Sequence, residues 1–431
     1  MTTAGPEFDI VIAGGGMTGA MLAQVLLSQL PKLKLAIVEL SAEPQPISSS
    51  AQPQAPAVSF DSRSIALSAA SVELLAQWGL WPELRADACP IRQIVVSDRG
   101  HFGKTRLDAS EFNRQSLGQV LEIEWLGALL YPKLAKFTTQ GRLHWFRPDR
   151  IVQLEQQQDV NQLLLQSGRQ LQCRLLVVAE GGDSPTRQLA GLPFQTLDYQ
   201  QSAVIANIGL SQAHQFTAFE RFTADGPIAL LPLSRQRYSL VWTSTAAQTA
   251  ELMTLSDPDF LALLQQEFGY RAGVFQSVGQ RQRYPLLLKF SEQGAAARLL
   301  LCGNSLHNLH PIAGQGFNLA LRDIAAISQL VAMSAQDPGR YAVTRAYQQL
   351  RQPDVQQVIR FTDGLVRLFS NQSRLLALGR NLGLSALMAC PMLKTSFARQ
   401  SMGLSPMQRQ QQQLAELLSA AQLSAAQHQV E

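Results

Sequence analysis

The stretch Phe8–Gly19, FDIVIAGGGMTG, read together with Glu39, leaves this chain few folds to choose from. Phe8, Ile10, Val11, Ile12 and Ala13 form a short apolar run rich in β-branched residues, as a buried parallel strand requires. Gly14, Gly16 and Gly19 follow at once in G-x-G-x-x-G spacing, with Gly15, Met17 and Thr18 between them, and Met17–Leu30 reads as a helix. The three glycines have separate tasks: a tight turn, close backbone approach to a pyrophosphate, and close packing of helix on strand. Free N–H groups at the helix start attract the phosphates. Leu35–Leu40, LAIVEL, supplies a second strand that contains Glu39, twenty residues beyond Gly19. A carboxylate there binds ribose hydroxyls and repels a 2′-phosphate. A glycine turn alone can be merely structural; strand, helix, second strand and acid in register predict dinucleotide binding.

A chain of 431 residues exceeds one ordinary core, so two or more domains are expected. Its 46% hydrophobic and 16% charged residues suit a globular protein with a large core, and a net charge of +4 is too small to suggest nucleic acid. Cys89, Cys173, Cys302 and Cys390 are scattered without a C-x-x-C pair, which suggests neither a zinc site nor a disulfide framework and points to a reducing cytoplasm. The first apolar run follows Glu7 and includes Asp9, so it serves better as a strand than as a secretion signal. No uncharged apolar run has the length of a membrane span.

Beyond Glu39, Ser41–Ala57 is rich in Pro, Ser, Gln and Ala and reads as a loop without a packed core. Asp61–Leu80 follows as a turn and an amphipathic helix; Arg63 at its start is either a clamp for a phosphate or adenosine end or an ordinary surface arginine. Ile91–Asp98 is strand-like, and Leu117–Phe137 has a helical pattern. Arg174–Ala179 is another apolar strand, and it runs straight into Glu180-Gly181-Gly182-Asp183-Ser184, a turn at the strand end where ligands of open α/β sheets collect. From Ala203 to Tyr284 the texture changes to short strands such as AVIANIGL, PIALLPL and YSLVWTS, a mostly antiparallel sheet inserted as a second domain.

Arg298–Cys302 restores a buried strand, followed by Gly303-Asn304, then HPIAGQGFN (His310–Asn318) and a helix through Leu330. Gly314 and Gly316 let backbone approach a planar ligand, and the helix start offers N–H donors and partial positive charge. That suits the anionic N1–C2=O edge of a reduced flavin; the bland alternative is a structural turn before a helix. His307 and His310 have H-x-x-H spacing, yet Pro311 and the glycines make this a loop and no acid or cysteine nearby completes a ligand set, so no metal is expected. There is no G-x-S-x-G elbow of a serine hydrolase.

Together, GGGMTG, Glu39, SRSIALS with Arg63, the EGGDS turn and GN…HPIAGQGFN resemble the aromatic flavoprotein monooxygenases, which share the para-hydroxybenzoate hydroxylase fold. Within them, HPIAGQGFNLALRD is similar to the ubiquinone-biosynthesis hydroxylases. SDRGHFG (97–103), LGQVLE (117–122), FERFTADGPIALLPLS (219–234), SLVW (239–242) and FTDGLVRLFSN (361–371) resemble the subgroup acting on a polyprenylated methoxyphenol. The resemblance covers residues from about 8 to about 400. It implies an α/β fold: a Rossmann-type FAD-binding domain, an inserted mostly antiparallel β-sheet substrate domain and a helical C-terminal region. The expected bounds are 1–190 for the first part of the FAD domain, with 82–115 contributing to the substrate domain, then 191–284 for the substrate domain. Residues 285–335 complete the FAD domain and 336–431 form the helical region, with Gln408–Glu431 a frayed helix or tail.

The chemistry implied is reduction of FAD by NAD(P)H, addition of O₂ at the flavin C4a position, and transfer of one oxygen to an electron-rich phenol ring. Cofactor contacts carry over to Gly14, Gly15, Gly16, Met17, Thr18, Gly19, Glu39, Arg63, Gln119, Glu180, Gly181, Gly303, Asn304, Pro311, Gly314, Gln315, Gly316, Phe317 and Asn318. His310 is the nearest candidate for a catalytic base, or else only shapes the loop. Two positions depart from the wider pattern: Glu180 stands where relatives carry Asp, and Asn304 where most carry Asp. The first keeps open a different class of reading, a non-catalytic flavin-fold subunit that carries lipid or scaffolds other ubiquinone-biosynthesis proteins. Finally, Gly339–Gln410 holds ten basic residues against Asp354 and Asp363, and Leu365–Leu393 intersperses such charges with Leu, Phe, Ala and Met. That pattern fits either peripheral attachment to the inner face of the cytoplasmic membrane or a solvated helix face.

Overall fold

The computed structural model describes residues 6–42, 63–99, 104–234, 236–309, 315–369 and 390–427. Its centre is a parallel sheet in the order Leu299–Leu301, Gln170–Val178, Phe8–Ala13, Leu35–Val38 and Leu143–Phe146. The uninterrupted apolar run Ile10–Ala13 within this strand follows from what lies on each side of it. Ile10 and Ile12 feed one core with Leu35, Ile37, Leu175 and Val177; Val11 and Ala13 feed another with Ala36, Val38, Leu176 and Val178. A strand covered on both faces has no position left for a polar residue. The first core is closed by the helices Met17–Gln29, Ile123–Thr139 and Gln315–Met333. The chain builds outward from Phe8–Ala13 through Leu35–Val38 to Leu143–Phe146, then returns to the other side with Gln170–Val178. The switch point therefore lies between Phe8–Ala13 and Gln170–Val178, where a crevice opens at the carboxyl ends of the strands.

A second sheet runs His307–Asn308, Gln282–Phe290, Gln195–Leu210, Arg237–Thr245, Pro227–Leu233, Thr217–Phe222, Gln93–Asp98 and Lys104–Asp108. All these pairs are antiparallel except Thr217–Phe222 with Gln93–Asp98. One face, through Val204, Ile208, Leu230, Leu240 and Trp242, packs on Leu252, Phe260, Leu264 and Phe268 of two helices, Ala246–Thr254 and Asp257–Phe268. Those helices interrupt the run that reads as strands alone. The opposite face, through Ala218 and Leu233, meets Ile91 and Val120.

Ile91 and Val120 belong to a small sheet of Ser64–Ser68, Gly118–Glu122 and Cys89–Ile91, which corrects two readings of the sequence. Asp61–Leu80 is not only turn and helix: Ser64–Ser68 is a strand, and the helix starts at Ala69, where the Ser68 hydroxyl accepts from Ser71 N–H at 3.2 Å. Leu117–Phe137 likewise begins with the strand Gly118–Glu122 before the helix Ile123–Thr139. Each strand exists because the other supplies its ladder partner some fifty residues away, as in Ser68 opposite Gly118. A buried ion pair, Arg237 Nη2 to Glu122 at 3.0 Å, ties the large sheet to this small one. The chain ends in the helices Tyr341–Phe369, Pro391–Ser401 and Leu404–Gln427, the last covering most of the stretch expected to fray.

Candidate functional site

The three fingerprint glycines are glycine for three different reasons. Gly14 has φ +100°, and a Cβ there would stand 2.5 Å from the Ala179 carbonyl oxygen. At Gly19 a Cβ would run into the Gly14 carbonyl oxygen, so the helix can sit this low only without a side chain. At Gly16 a Cβ would meet nothing within 4 Å. The protein itself therefore does not require glycine at residue 16, and the exposed backbone there is open to a ligand. Gly16 is also the N-cap of Met17–Gln29 and has no side-chain cap, so the first-turn N–H groups suit a pyrophosphate. Thr18 and Met17 turn aside to pack near Gly303 and Gly127.

The second strand stops at Val38, shorter than the expected Leu35–Leu40, so Glu39 follows directly after it and orders the loop it faces. Its Oε2 accepts from Gly15 N–H at 2.6 Å and its Oε1 from Ser41 N–H at 2.8 Å. Each oxygen retains a lone pair for a ribose hydroxyl. Sequence reasoning missed three neighbours. The Trp145 ring would lie 2.7 Å from a Cβ at Gly15, the Arg147 guanidinium sits 4.4 Å from the Trp145 ring centroid, and the Tyr131 hydroxyl reaches the Gly15 carbonyl at 3.5 Å. Burial, then the Glu39 charge, push the Tyr131 hydroxyl pKa up. Arg63 is exposed, and its carbonyl accepts from Ile123 N–H at 2.9 Å. Gln119 spends its amide on the Ser116 hydroxyl at 3.2 Å.

The second and third strand-end turns meet the first. The Ser305 hydroxyl donates to the Gly181 carbonyl at 3.1 Å, and a Cβ at Gly303 would stand 2.9 Å from Thr18 Cγ2. Glu180, however, turns into its own loop: its carboxylate accepts from the Ser184 hydroxyl at 2.6 Å and from the N–H and hydroxyl of Thr186 at 3.0 and 2.8 Å. The longer side chain caps the short helix Pro185–Leu189, while Asn304 stays exposed at the turn.

Beneath Gly303 lies a buried charge cluster that no sequence spacing announces. Asp323 Oδ2 accepts from Gly303 N–H at 2.9 Å and lies 2.8 Å from His307 Nε2; its Oδ1 accepts from Arg351 Nε at 2.7 Å. Arg351 also donates to Asp354 at 2.6 Å and to Gln410 at 3.1 Å, and Arg322 Nε is 2.9 Å from Asp354. Burial alone would raise the Asp323 carboxyl; His307 and Arg351 outweigh it and hold the carboxyl below the ordinary range. His307 is thus engaged by an aspartate, and Arg351, counted above with the basic excess, is core and not surface.

His310, Pro311 and Gly314 lie outside the described residues. Of the rest of that loop, Gln315, Gly316 and Phe317 open the helix Gln315–Met333, and a Cβ at Gly316 would meet nothing within 4 Å. Asn318 is a clamp for the protein: its Oδ1 accepts from Ser68 N–H at 2.8 Å and the Ser71 hydroxyl at 2.6 Å, and its Nδ2 donates to the Ala66 carbonyl at 2.9 Å. It fastens the SRSIALS segment to the loop helix.

A glycine cradle at the switch point of a parallel sheet, with a large antiparallel sheet held to a small intervening sheet by the buried Arg237–Glu122 pair, is the architecture of a dinucleotide-binding flavin enzyme. Residues 7–362 match the family described as FAD binding domain, and FAD is the cofactor. The chain belongs to the FAD-dependent hydroxylases of ubiquinone biosynthesis. It is 32% identical over 404 residues to the ubiquinone hydroxylase UbiL of Rhodospirillum rubrum, covering 92% of this chain and 89% of that one. It is 30% identical to the 3-demethoxyubiquinol 3-hydroxylase of Escherichia coli, covering 92% and 98%. Among solved structures, PqsL of P. aeruginosa superposes with a TM-score of 0.71 at 20% identity, covering 88% of this chain and 99% of that one, a likeness of fold.

Proposed function

We propose that this chain hydroxylates the ring of a polyprenylated methoxyphenol, as 2-octaprenyl-6-methoxyphenol hydroxylase does, with NAD(P)H as reductant and O₂ as oxygen source. The observation that carries the reading is the pair of glycines, Gly16 and Gly316, with open space where a side chain would stand, each at a helix start. Gly14–Gly19 and Glu39 hold the ADP half, while Gly303, Asn304 and Gln315–Phe317 hold the flavin end. A bound flavin supplies hydride acceptance and oxygen activation. The chain contributes orientation, through Asp323 beneath Gly303, and Ile91, Val120, Ala218 and Leu233 make the junction between the sheets apolar, which excludes water there. With one complete dinucleotide fingerprint, NAD(P)H is a transient visitor. The test is oxidation of NADPH by the purified yellow protein. The prenylated phenol is expected to stimulate it and to acquire an oxygen atom from isotopically labelled O₂. A protein that keeps FAD and never turns over would favour the scaffold reading.

The prenyl tail sets where this happens. At ~0.8 kcal/mol per buried CH₂, drawing a long tail into water is prohibitive. Among the described residues no helix is long and apolar enough to cross a membrane. Peripheral attachment to the inner face of the cytoplasmic membrane is supported by Met392 and Leu393, 83% and 52% exposed, with the exposed Arg399 on the same helix, whereas Lys394 there is spent on Glu111. Most of Leu365–Leu393 lies outside the described residues or their described side chains. Co-sedimentation with anionic vesicles is expected at low salt and not at high salt. Binding indifferent to both salt and lipid charge would instead favour delivery by a partner protein.

A further inference from the structure

Glu220 interrupts an otherwise unremarkable strand, Thr217–Phe222, and its Oε1 is sealed from solvent with no hydrogen-bond partner. The strand's two faces are distinguishable. Phe219 packs edge-on against Phe268, and Arg221 Nε donates to the Glu267 carbonyl at 3.1 Å, so 219 and 221 face the helices behind the sheet. Ala218 packs with Ile91 and Val120, so 218 and 220 face the junction with the flavin domain. Glu220 stands there between Val96 and Ala229 on the flanking strands, neither of which can donate a hydrogen bond from its side chain. The small sheet across that junction is the one Asn318 fastens to the loop helix. A carboxylate oxygen buried in apolar surroundings without a donor weakens the fold, so its use lies in what binds beside it.

We propose that Glu220 accepts the hydrogen bond of the substrate's ring hydroxyl and takes its proton during oxygen transfer, which rests on the aromatic-hydroxylase reading above. The O–H bond of the phenol breaks, the proton passes to the Glu220 carboxylate, and the electron pair left on oxygen enriches the ring carbon that receives one atom of O₂. NAD(P)H supplies two electrons, and the second oxygen atom leaves as water. When the ring sheds its C–H proton to solvent and regains aromaticity, Glu220 returns its proton to the ring oxygen. Desolvation pushes the Glu220 carboxyl up to about 7, so near neutrality it can both accept and release a proton. No neighbouring charge contributes to that shift. The titratable and charged groups near this face are Asp98 on the flanking strand, Cys89, and the mutually paired Glu122 and Arg237.

The test compares wild type, Glu220→Gln and Glu220→Asp as FAD-loaded proteins with a short-chain prenylated phenol. Glu220→Gln is expected to keep its FAD and lower hydroxylation roughly 10²- to 10⁴-fold, the usual reach of a general base. It should also lose the acid limb expected of wild type near pH 7, with reducing equivalents diverted to hydrogen peroxide, and Glu220→Asp should restore part of the rate. The unfolded carboxyl ionises more readily than the folded one. The stability cost is therefore absent in acid and complete above the folded value, and Glu220→Gln should raise the melting temperature only at neutral to alkaline pH. A Gln variant with wild-type rate, or one with a reduced rate and an unchanged acid limb, overturns the assignment of Glu220. If wild type itself hydroxylates no phenol, the functional reading falls and the proposal with it.

Discussion

Asp323→Asn is expected to lower the melting temperature by roughly 3–6 °C and to release FAD. Removing one partner of a buried ion pair costs about 3–5 kcal/mol, because the other charge stays behind without compensation. Here two groups, Arg351 and His307, would be left facing an amide, and the Gly303 N–H would lose its carboxylate acceptor. That N–H belongs to the turn placed against Thr18 of the first helix, so the lesion reaches the cofactor as well as the core. Thermal denaturation of the holoprotein and the ratio of flavin to protein absorbance would check both parts. The pH dependence follows from the sign of the shift. The folded carboxyl lies below its unfolded value, so its contribution is complete above the ordinary carboxylate range and disappears as pH falls through the folded value. In Asp323→Asn that strongly acidic component of the unfolding profile should vanish.

Gly16→Val and Gly19→Ala should fail in different ways. At Gly16 there is open space, so the valine variant is expected to fold, with near-normal circular dichroism, and to come off the column colourless. A methyl at Gly19 would collide with the Gly14 carbonyl oxygen, part of the backbone and unable to swing aside. Gly19→Ala is therefore expected to lose the packing of the first helix and accumulate as insoluble protein. Normal flavin content in Gly16→Val would remove the ligand as the reason for that glycine.

The sequence by itself determined the parallel half of the fold, because a strand buried on both faces must be written as an unbroken apolar run and a phosphate turn must be written in glycine. Gly14, Gly16, Gly19 and Glu39 were legible for that reason, each demanded by an interaction within one local βαβ unit. Texture alone marked the inserted antiparallel sheet, although the helices Ala246–Thr254 and Asp257–Phe268 within it went unread. What only the tertiary structure decided has long-range partners. Ser64–Ser68 is a strand because Gly118–Glu122 lies beside it, and Asn318 serves Ser68 and Ala66 across some 250 positions. Glu180 caps its own loop, and Arg351 abandons the surface for Asp323. Glu220 reads as one acid in a strand until the fold shows which face it occupies and that nothing there satisfies its Oε1. Local propensity records the backbone's immediate needs; the partner of a buried charge is set by chain elements that meet only once the core has closed.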